Sequence, residues 1–243
     1  MNATERSEAI LVSCEALVVG RAGRALLPPL DLTIRRGELW GVLGRNGAGK
    51  TTWARTLLGL ERAVAGRVTI PPGVRRTYLA QQRELDAAYP LRVRDVVGFG
   101  LERGTSFLRR RGLEHRERLE RALEEAGVGA LADRPFRELS EGQKQRVLLA
   151  RVHAAQADLA VLDEPTSAMD ATVEREAWAL LARLRRELGL ALVVITHAHA
   201  LVRAHADRVL VLDAQSVVSG TPEAVLAARS PFDAPAPEES HGV

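Results

Sequence analysis

Gly44-Arg45-Asn46-Gly47-Ala48-Gly49-Lys50-Thr51-Thr52 is the stretch of sequence that decides the fold. It fits the pattern Gly-x4-Gly-Lys-[Ser/Thr] of the phosphate-binding P-loop. The apolar run from Glu38 to Leu43 predicts a short buried strand before it, and Thr52 to Leu60 predicts a helix after it. Strand, loop and helix in this order are the context that the motif requires. Taken alone, the nine residues could also be a glycine-rich turn that caps a helix.

The residue types of this loop suit a nucleotide. Gly44, Gly47 and Gly49 allow positive φ angles, so that consecutive backbone N–H groups can approach phosphate oxygens. The start of the following helix adds the positive end of its dipole. Lys50 supplies a mobile charge near the β- and γ-phosphates, and the Thr51 hydroxyl can bind Mg²⁺. All nine residues from Gly44 to Thr52 are therefore predicted to bind nucleotide.

Composition and charge argue against a nucleic-acid partner. The chain has 243 residues, of which 46% are hydrophobic, 27% charged and only 4% aromatic, with a formal net charge of +3. This length suits one large domain, or one domain with an added lobe. Most basic residues alternate with acidic ones, which is typical of solvated helix faces. The basic run Arg109 to Arg111 favours an exposed loop over a contact with a partner or with lipid headgroups.

Cysteine content and hydropathy predict a protein that acts from a reducing compartment. Cys14 is the sole cysteine, so no internal disulfide can form. The polar start from Met1 to Glu8 has no apolar core of a signal peptide. No apolar run approaches the roughly 20 residues that a membrane span requires. We therefore expect the chain not to cross a membrane by itself.

The periodicity along the chain predicts an α/β fold with an inserted helical lobe. Short apolar strands dominate on both sides of a charged, helical segment between Arg83 and Leu139. Helices are predicted over Glu114–Ala126, Glu141–Ala155 and Ala171–Leu188, and Ser140 with Gln143 forms a capping box. We predict one domain over residues 1–229, with a core of 9–82 and 156–229, a lobe of about 83–155 and a disordered tail of 230–243.

Two acidic residues follow a buried strand at the edge where a parallel sheet binds its ligands. Asp163 and Glu164 end the apolar run that begins at Asp158. An aspartate in this place can hold the Mg²⁺ of a nucleotide, and the adjacent Glu164 can polarise the attacking water. The alternative is a strand that simply ends in solvated acids.

A glutamine and a histidine are expected at the same edge. Gln81 follows a predicted strand and can reach the metal or the water, although Gln82 is a rival for this role. His197 follows the strand Leu190–Thr196 and can bind the γ-phosphate, with His199 and His205 as alternatives. Each of these residues alone is more simply explained as structural, whereas their order after a P-loop points to catalysis. The candidate catalytic residues are therefore Glu164, His197 and Gln81, and the candidate Mg²⁺ ligands are Thr51, Asp163 and Gln81.

A further motif identifies the family that the chain resembles. Leu139-Ser140-Glu141-Gly142-Gln143 resembles the Leu-Ser-Gly-Gly-Gln signature of ATP-binding cassette (ABC) ATPases. The order of P-loop, Gln81, signature, Asp163-Glu164, Ser167-to-Asp170 and His197 is similar to the motif series of that family, over about residues 11–226. The resemblance implies a P-loop NTPase (RecA-like) sheet domain with an antiparallel β part and an α-helical signature lobe. It also implies hydrolysis of ATP with Mg²⁺.

The same resemblance implies a head-to-tail pair of ATP-binding subunits, expected to be a homodimer. The signature residues Ser140, Glu141, Gly142 and Gln143 would meet the ATP that is bound to the partner's P-loop. Asp170 would belong to the loop that communicates between the two sites. ATP-driven closure of the dimer would move separate membrane subunits, and hydrolysis would reset them.

Two departures from the family pattern affect the ATP site. Glu141 replaces a glycine and brings a carboxylate close to the phosphates, although a carboxylate is tolerated at a helix start. The aromatic residue that stacks on adenine is missing between Gly20 and Arg24. Arg21 or Arg24 could stack through its planar guanidinium group instead. We therefore expect loose discrimination between nucleotide bases.

The resemblance favours a free-standing transporter ATPase over other ABC proteins. The chain has one cassette and no long coiled-coil insertion, which argues against relatives of translation factors and of chromosome-maintenance proteins. A non-transport ATPase acting on nucleic acid or protein complexes is the alternative. The stretch Asp86 to Val97 resembles a pattern of zinc, manganese and iron-chelate import ATPases, which implies metal import. The implied partners are polytopic permease subunits and a substrate-binding protein, and the implied location is the cytoplasmic face of the cell membrane.

Overall fold

The computed structural model of the protein describes residues 9–80, 91–101, 112–166 and 171–227. Several predictions fall outside these ranges: those for Gln81 and Gln82, for Asp170, for the arginine run 109–111, for residues 86–90 and for the tail 230–243.

The described residues form eleven strands and seven α-helices. The strands are β1 (Ile10–Val18), β2 (Gly20–Arg21), β3 (Arg24–Ala25), β4 (Leu30–Arg35), β5 (Leu39–Gly44), β6 (Ala65–Thr69), β7 (Arg76–Leu79), β8 (Leu159–Asp163), β9 (Ala191–Ile195), β10 (Arg208–Leu212) and β11 (Val217–Gly220). The helices are α1 (Lys50–Leu57), α2 (Val93–Gly98), α3 (Leu113–Glu125), α4 (Glu141–Ala155), α5 (Ala171–Leu188), α6 (His199–His205) and α7 (Pro222–Ala227). Short 3₁₀ turns at Gly129–Leu131 and Phe136–Glu138 join α3 to α4.

A six-stranded sheet carries the candidate site. Its strand order is β11-β10-β5-β9-β8-β7, and every pair is parallel except β10 with β11. All residues of β8 and β9 are buried, because both faces of this sheet are covered. The parallel order brings the carboxyl ends of β5, β7, β8 and β9 to one edge.

Two apolar cores lie on opposite faces of this sheet, as the two-residue period of a strand requires. On β8, Ala160 and Leu162 face the core shared with α2 to α6, whereas Leu159 and Val161 face the core shared with α1 and the smaller sheet. Trp178 anchors the first core and Trp53 the second, and both are fully buried. These layers confirm the predicted α/β fold with a parallel sheet and an antiparallel part.

A three-stranded antiparallel sheet of order β4-β1-β6 covers α1. Cys14 lies within it on β1 and is 4% exposed. Burial, together with the nearby Asp31 carboxylate, raises the pKa of the Cys14 thiol to about 12. The thiol therefore stays protonated and behaves as a small apolar side chain.

The structure corrects the predicted bounds of several elements. The predicted strand Asp158–Glu164 ends at Asp163, because Glu164 takes a left-handed φ of 50°. Helix α1 spans Lys50–Leu57 rather than Thr52–Leu60, since Gly59 turns the chain with a φ of 74°. Helix α6 was not predicted, because seven residues are too few for a clear helical period. Within the described ranges, no helix has the length and apolar character to span a membrane.

Candidate functional site

The P-loop folds around the start of α1 as its glycines require. Gly44, Gly47 and Gly49 have φ angles of 153°, 81° and 89°. A Cβ atom on Gly44 would lie 2.4 Å from the carbonyl oxygen of Leu212, so a side chain would clash there as well as strain the backbone. Helix α1 begins directly after Gly49, which leaves its first N–H groups directed toward the loop.

The side chain of Lys50 folds back onto the P-loop. Its Nζ donates to the carbonyl oxygens of Gly44 at 2.7 Å and Arg45 at 3.1 Å, and the residue is only 7% exposed. The pKa of Lys50 is lowered, because burial disfavours the ammonium form more than the charges of Glu164 and Asp163 favour it. The loop therefore holds a partly desolvated amine where phosphate oxygens can replace its carbonyl partners.

Asp163 ends β8 in contact with two hydroxyl groups. The hydroxyl of Thr51 lies 2.8 Å from Asp163 Oδ2, and the hydroxyl of Tyr78 lies 3.0 Å from the same oxygen. Burial and the Asp163 carboxylate raise the pKa of Tyr78, so the phenol keeps its proton and donates it. Tyr78 was not among the predicted site residues. Its sequence signal is its place on β7, three residues before Gln81.

Glu164 turns away from the strand and enters the cavity beside the P-loop. Its N–H donates to the carbonyl of Ile195 at 2.9 Å, which ties the bend to the end of β9. Its Oε1 lies 3.0 Å from His197 Nε2. Two of the predicted catalytic residues, separated by 33 positions in sequence, are thus brought into hydrogen-bond contact.

A cavity of about 440 Å³ joins the P-loop to Glu164. It is lined by Arg21, Leu26, Asn46, Gly47, Gly49, Lys50, Thr51, Thr52 and Glu164. The β2–β3 hairpin contributes Arg21 to this lining, and the next residues of the chain contribute Leu26, whereas Arg24 does not line the cavity. The two alternatives for a base-stacking arginine are therefore unequal, and Arg21 is the better placed. Leu26 was missed, because a single leucine after a short hairpin carries no motif.

The signature residues form the predicted capping box at the start of α4. The N–H of Gln143 donates to Ser140 Oγ at 3.3 Å, and the N–H of Ser140 donates to Gln143 Oε1 at 3.1 Å. Lys144 Nζ lies 3.0 Å from Glu141 Oε1 and 6.0 Å from the ring centre of Phe136. The carboxylate of Glu141 is thus balanced by a lysine of its own helix. None of the residues from Ser140 to Gln143 is among those that line the P-loop cavity of the described chain.

The two alternative histidines, His199 and His205, lie in helix α6. His205 stacks on Trp178 with ring centres 5.8 Å apart, so its place in α6 is explained by packing. His199 begins α6, two residues beyond His197. Gln81, Gln82 and Asp170 lie outside the described residues, and their roles stay predictions.

The donor set at this edge fits a magnesium ion. Thr51 and Asp163 offer hydroxyl and carboxylate oxygens, which are the ligands that Mg²⁺ prefers. Among the described residues, no group of three or more His, Cys, Asp and Glu side chains could hold a metal.

Comparisons with known proteins agree with this geometry. The family model for the ABC transporter matches residues 27–167. The zinc import ATP-binding protein ZnuC of Marinobacter nauticus is 37% identical over 216 residues, covering 88% of this chain and 78% of that protein. ZnuC of Yersinia enterocolitica is 36% identical over 215 residues, covering 88% and 81%. An inward-facing structure of a transporter assigned to the metal-chelate ABC type aligns with a TM-score of 0.79 and 28% identity, covering 89% and 85%.

Proposed function

The chain belongs to the ABC transporter family and is an ATP-binding ATPase subunit of such a transporter, and we propose that it energises import of a metal ion, with zinc the leading candidate. The support comes from relatives named as zinc import proteins and from the Leu91-to-Val97 end of the import-type pattern. Relatives with transport names do not favour the alternative of a non-transport ATPase.

In this proposal the P-loop binds the phosphates of ATP. Its backbone N–H groups and Lys50 neutralise the β- and γ-phosphates, and the amine exchanges its two carbonyl partners for phosphate oxygens. Thr51 and Asp163 would hold Mg²⁺, with Gln81 as a further ligand. The ion, when bound, neutralises charge on the phosphates.

Glu164 and His197 act on the attacking water. Glu164 Oε1 is held by His197 Nε2 at 3.0 Å, and the carboxylate faces the cavity that contains Lys50. A carboxylate so held can accept a hydrogen bond from water and orient it in line with the γ-phosphate. This pairing of His197 with Glu164, which lines the P-loop cavity, is the observation that carries the catalytic part of the proposal.

The second half of each ATP site would come from a second copy of the chain. The signature at Ser140–Gln143 begins α4, and the positive end of this helix dipole suits the γ-phosphate of ATP on the partner. Asp170 would communicate between the two sites. The dimer would sit at the cytoplasmic face of the membrane on polytopic permease subunits, supplied by a substrate-binding protein.

A Glu164→Gln variant provides the test. It is expected to bind ATP with Mg²⁺ as the wild type does, to lose hydrolysis by roughly 100-fold or more, and to accumulate as a dimer under ATP. A pull-down of the tagged variant from detergent-solubilised native membranes should recover a multi-span permease, and loss of the gene should lower zinc uptake. A monomer under ATP would contradict the dimer mechanism, and recovery of soluble partners alone would contradict transport.

A further inference from the structure

We propose that Tyr78 is a positioning residue that fixes the Asp163 carboxylate for the divalent cation. The inference rests on the Mg²⁺ site proposed above and adds a residue that no sequence motif marks. Tyr78 does not line the cavity itself and acts on the cation only through Asp163.

The contacts of Asp163 are divided unequally between its two oxygens. Within the described part of the chain, the hydrogen bonds from Thr51 and from Tyr78 both fall on Oδ2, at 2.8 and 3.0 Å. Oδ1 is then left for a cation or for a water bound to it. Both donors are neutral, so neither adds a positive charge beside the carboxylate. A donor that fixes orientation without cancelling charge is what a metal ligand needs from its surroundings.

The direction of the Tyr78 hydrogen bond follows from its acceptor. A carboxylate can only accept, so the phenol proton is donated to Asp163 Oδ2. The guanidinium group of Arg55 interacts electrostatically with the phenol and lies 3.5 Å from Glu61 Oε1. Arg55 is therefore a residue of α1 that lies beside the Tyr78–Asp163 contact.

Helix α1 approaches Asp163 with two residues. Thr51 and Arg55 are four residues apart and share one face of α1. Thr51 contacts Asp163 directly, whereas Arg55 lies beside the phenol of Tyr78. Two donors on one oxygen restrict rotation of the carboxylate, which lowers the entropy lost when a cation binds.

A second tie between β7 and α1 offers a matched control. Arg76 lies two residues before Tyr78 on the same face of β7, and it donates to the carbonyl of Leu58 at 3.0 Å. This bond joins the same strand to the same helix, but at the end that is remote from Asp163. A role of Tyr78 in merely attaching β7 to α1 would make the two residues equivalent.

The experiment measures the Kd of a fluorescent ATP analogue, without turnover, in Mg²⁺ and in EDTA. For Tyr78→Phe, which keeps the ring, the gain in affinity that Mg²⁺ provides should fall by about tenfold, while the Kd in EDTA stays within about twofold of wild type. Arg55→Gln should lower the gain in the same direction by a smaller factor. Arg76→Gln should leave it unchanged.

Three results would overturn the inference. They are an unchanged Mg²⁺ gain in Tyr78→Phe, an equal loss in Arg76→Gln, or a loss of affinity in EDTA as large as that in Mg²⁺. A wild-type protein whose affinity does not respond to Mg²⁺ would overturn the proposed metal site together with this inference. A wild-type response that Tyr78→Phe retains in full would overturn the inference alone.

Discussion

The two ends of strand β8 carry aspartates with opposite surroundings. Asp158 lies just before the strand and Asp163 ends it, and the two are 7% and 5% exposed. Asp158 pairs with Arg36 at 2.8 Å and with Arg75 at 3.1 Å. Asp163 receives only hydroxyl donors within the described residues. Equal burial thus hides a difference in charge, since one carboxylate is neutralised by the chain and the other is left for a ligand.

The same contrast extends along both edges of the sheet. At the edge of Asp158, Asp207 precedes β10, accepts from the N–H of Leu39 at 2.7 Å and lies 2.8 Å from Arg185. At the opposite edge, Glu164 meets His197, a group that is charged only when protonated. At the edge of Asp158, the carboxylates are therefore paired with arginines of the chain, and these pairs stabilise the fold. At the opposite edge, the acidic side chains outnumber their basic partners, and a bound cation can balance the remaining negative charge.

The largest effect on activity should appear when each of the two aspartates is replaced by asparagine in a separate variant. Asp163→Asn is expected to lower ATPase activity by roughly 100-fold or more, because the remaining amide cannot balance a cation, with little change in the melting temperature. Asp158→Asn should lower the melting temperature and leave kcat of the folded protein near wild type. Activity assays and thermal unfolding on the same preparations compare the two. Equal activity losses at both positions would remove the distinction between the edges.

The next effect concerns the histidine partner of Glu164. His197→Ala should lower kcat by about 10- to 100-fold with little change in the Kd for ATP, because the carboxylate loses the group that orients it. His197→Gln keeps an N–H donor and should recover part of the activity. Steady-state kinetics with nucleotide titrations separate kcat from binding. A change confined to Kd would instead place His197 in binding alone.

A smaller effect should appear in stability against acid. Burial acts to raise the pKa of Asp158, but hydrogen bonds from Arg75 and Arg36 outweigh it and lower that pKa from 3.8 to about 2. A lowered folded-state pKa stabilises the protein above pH 4, and this contribution is lost as the pH falls toward 2. Asp158→Asn should cost about 2 kcal/mol of unfolding free energy at neutral pH.

Denaturant unfolding at several pH values tests this linkage. The difference in unfolding free energy between wild type and Asp158→Asn should shrink between pH 4 and pH 2. A difference that stays constant over this range would show that the arginine pairs do not set the acid stability.

The smallest effect is expected at the hairpin side of the cavity. Among the described residues that line the cavity, Arg21 can stack on a base and none is aromatic, so ATP and GTP should be turned over with comparable kcat/KM. Arg21→Ala should weaken both nucleotides about threefold, and Arg24→Ala, outside the cavity, should weaken neither. Competition between the two nucleotides measures this directly. A strict preference for ATP would contradict the loose discrimination that we expect.

Most of the fold could be read from local patterns. The bounds of α4 and α5 agree with the predicted Glu141–Ala155 and Ala171–Leu188, because a helix period and its caps depend on residues three or four positions apart. Gly189 follows α5 with a left-handed φ of 59°, which suits a glycine at the end of a helix. The short elements β2, β3 and α6 could not be predicted, since two to seven residues are too few to display a period.

Only part of the candidate site could be predicted from the sequence, and the reason differs from that for the fold. The P-loop and the Asp163-Glu164 pair can be recognised in the sequence from residue type and spacing. Tyr78 and Leu26 cannot, because their roles depend on which elements lie beside them. The choice between Arg21 and Arg24 likewise depends on which side of a two-residue hairpin faces the P-loop.

The sequence by itself determined the phosphate-binding loop, the order of the motifs and the helix caps, since these rest on contacts between near neighbours in the chain. Only the tertiary structure decided that Tyr78 and Thr51 share one oxygen of Asp163, that His197 holds Glu164, and that Asp158 is neutralised by arginines. Those contacts join residues 33 to 122 positions apart. They exist because the strand order β5-β9-β8-β7 brings distant segments side by side at both ends of these strands, and no local period encodes that order.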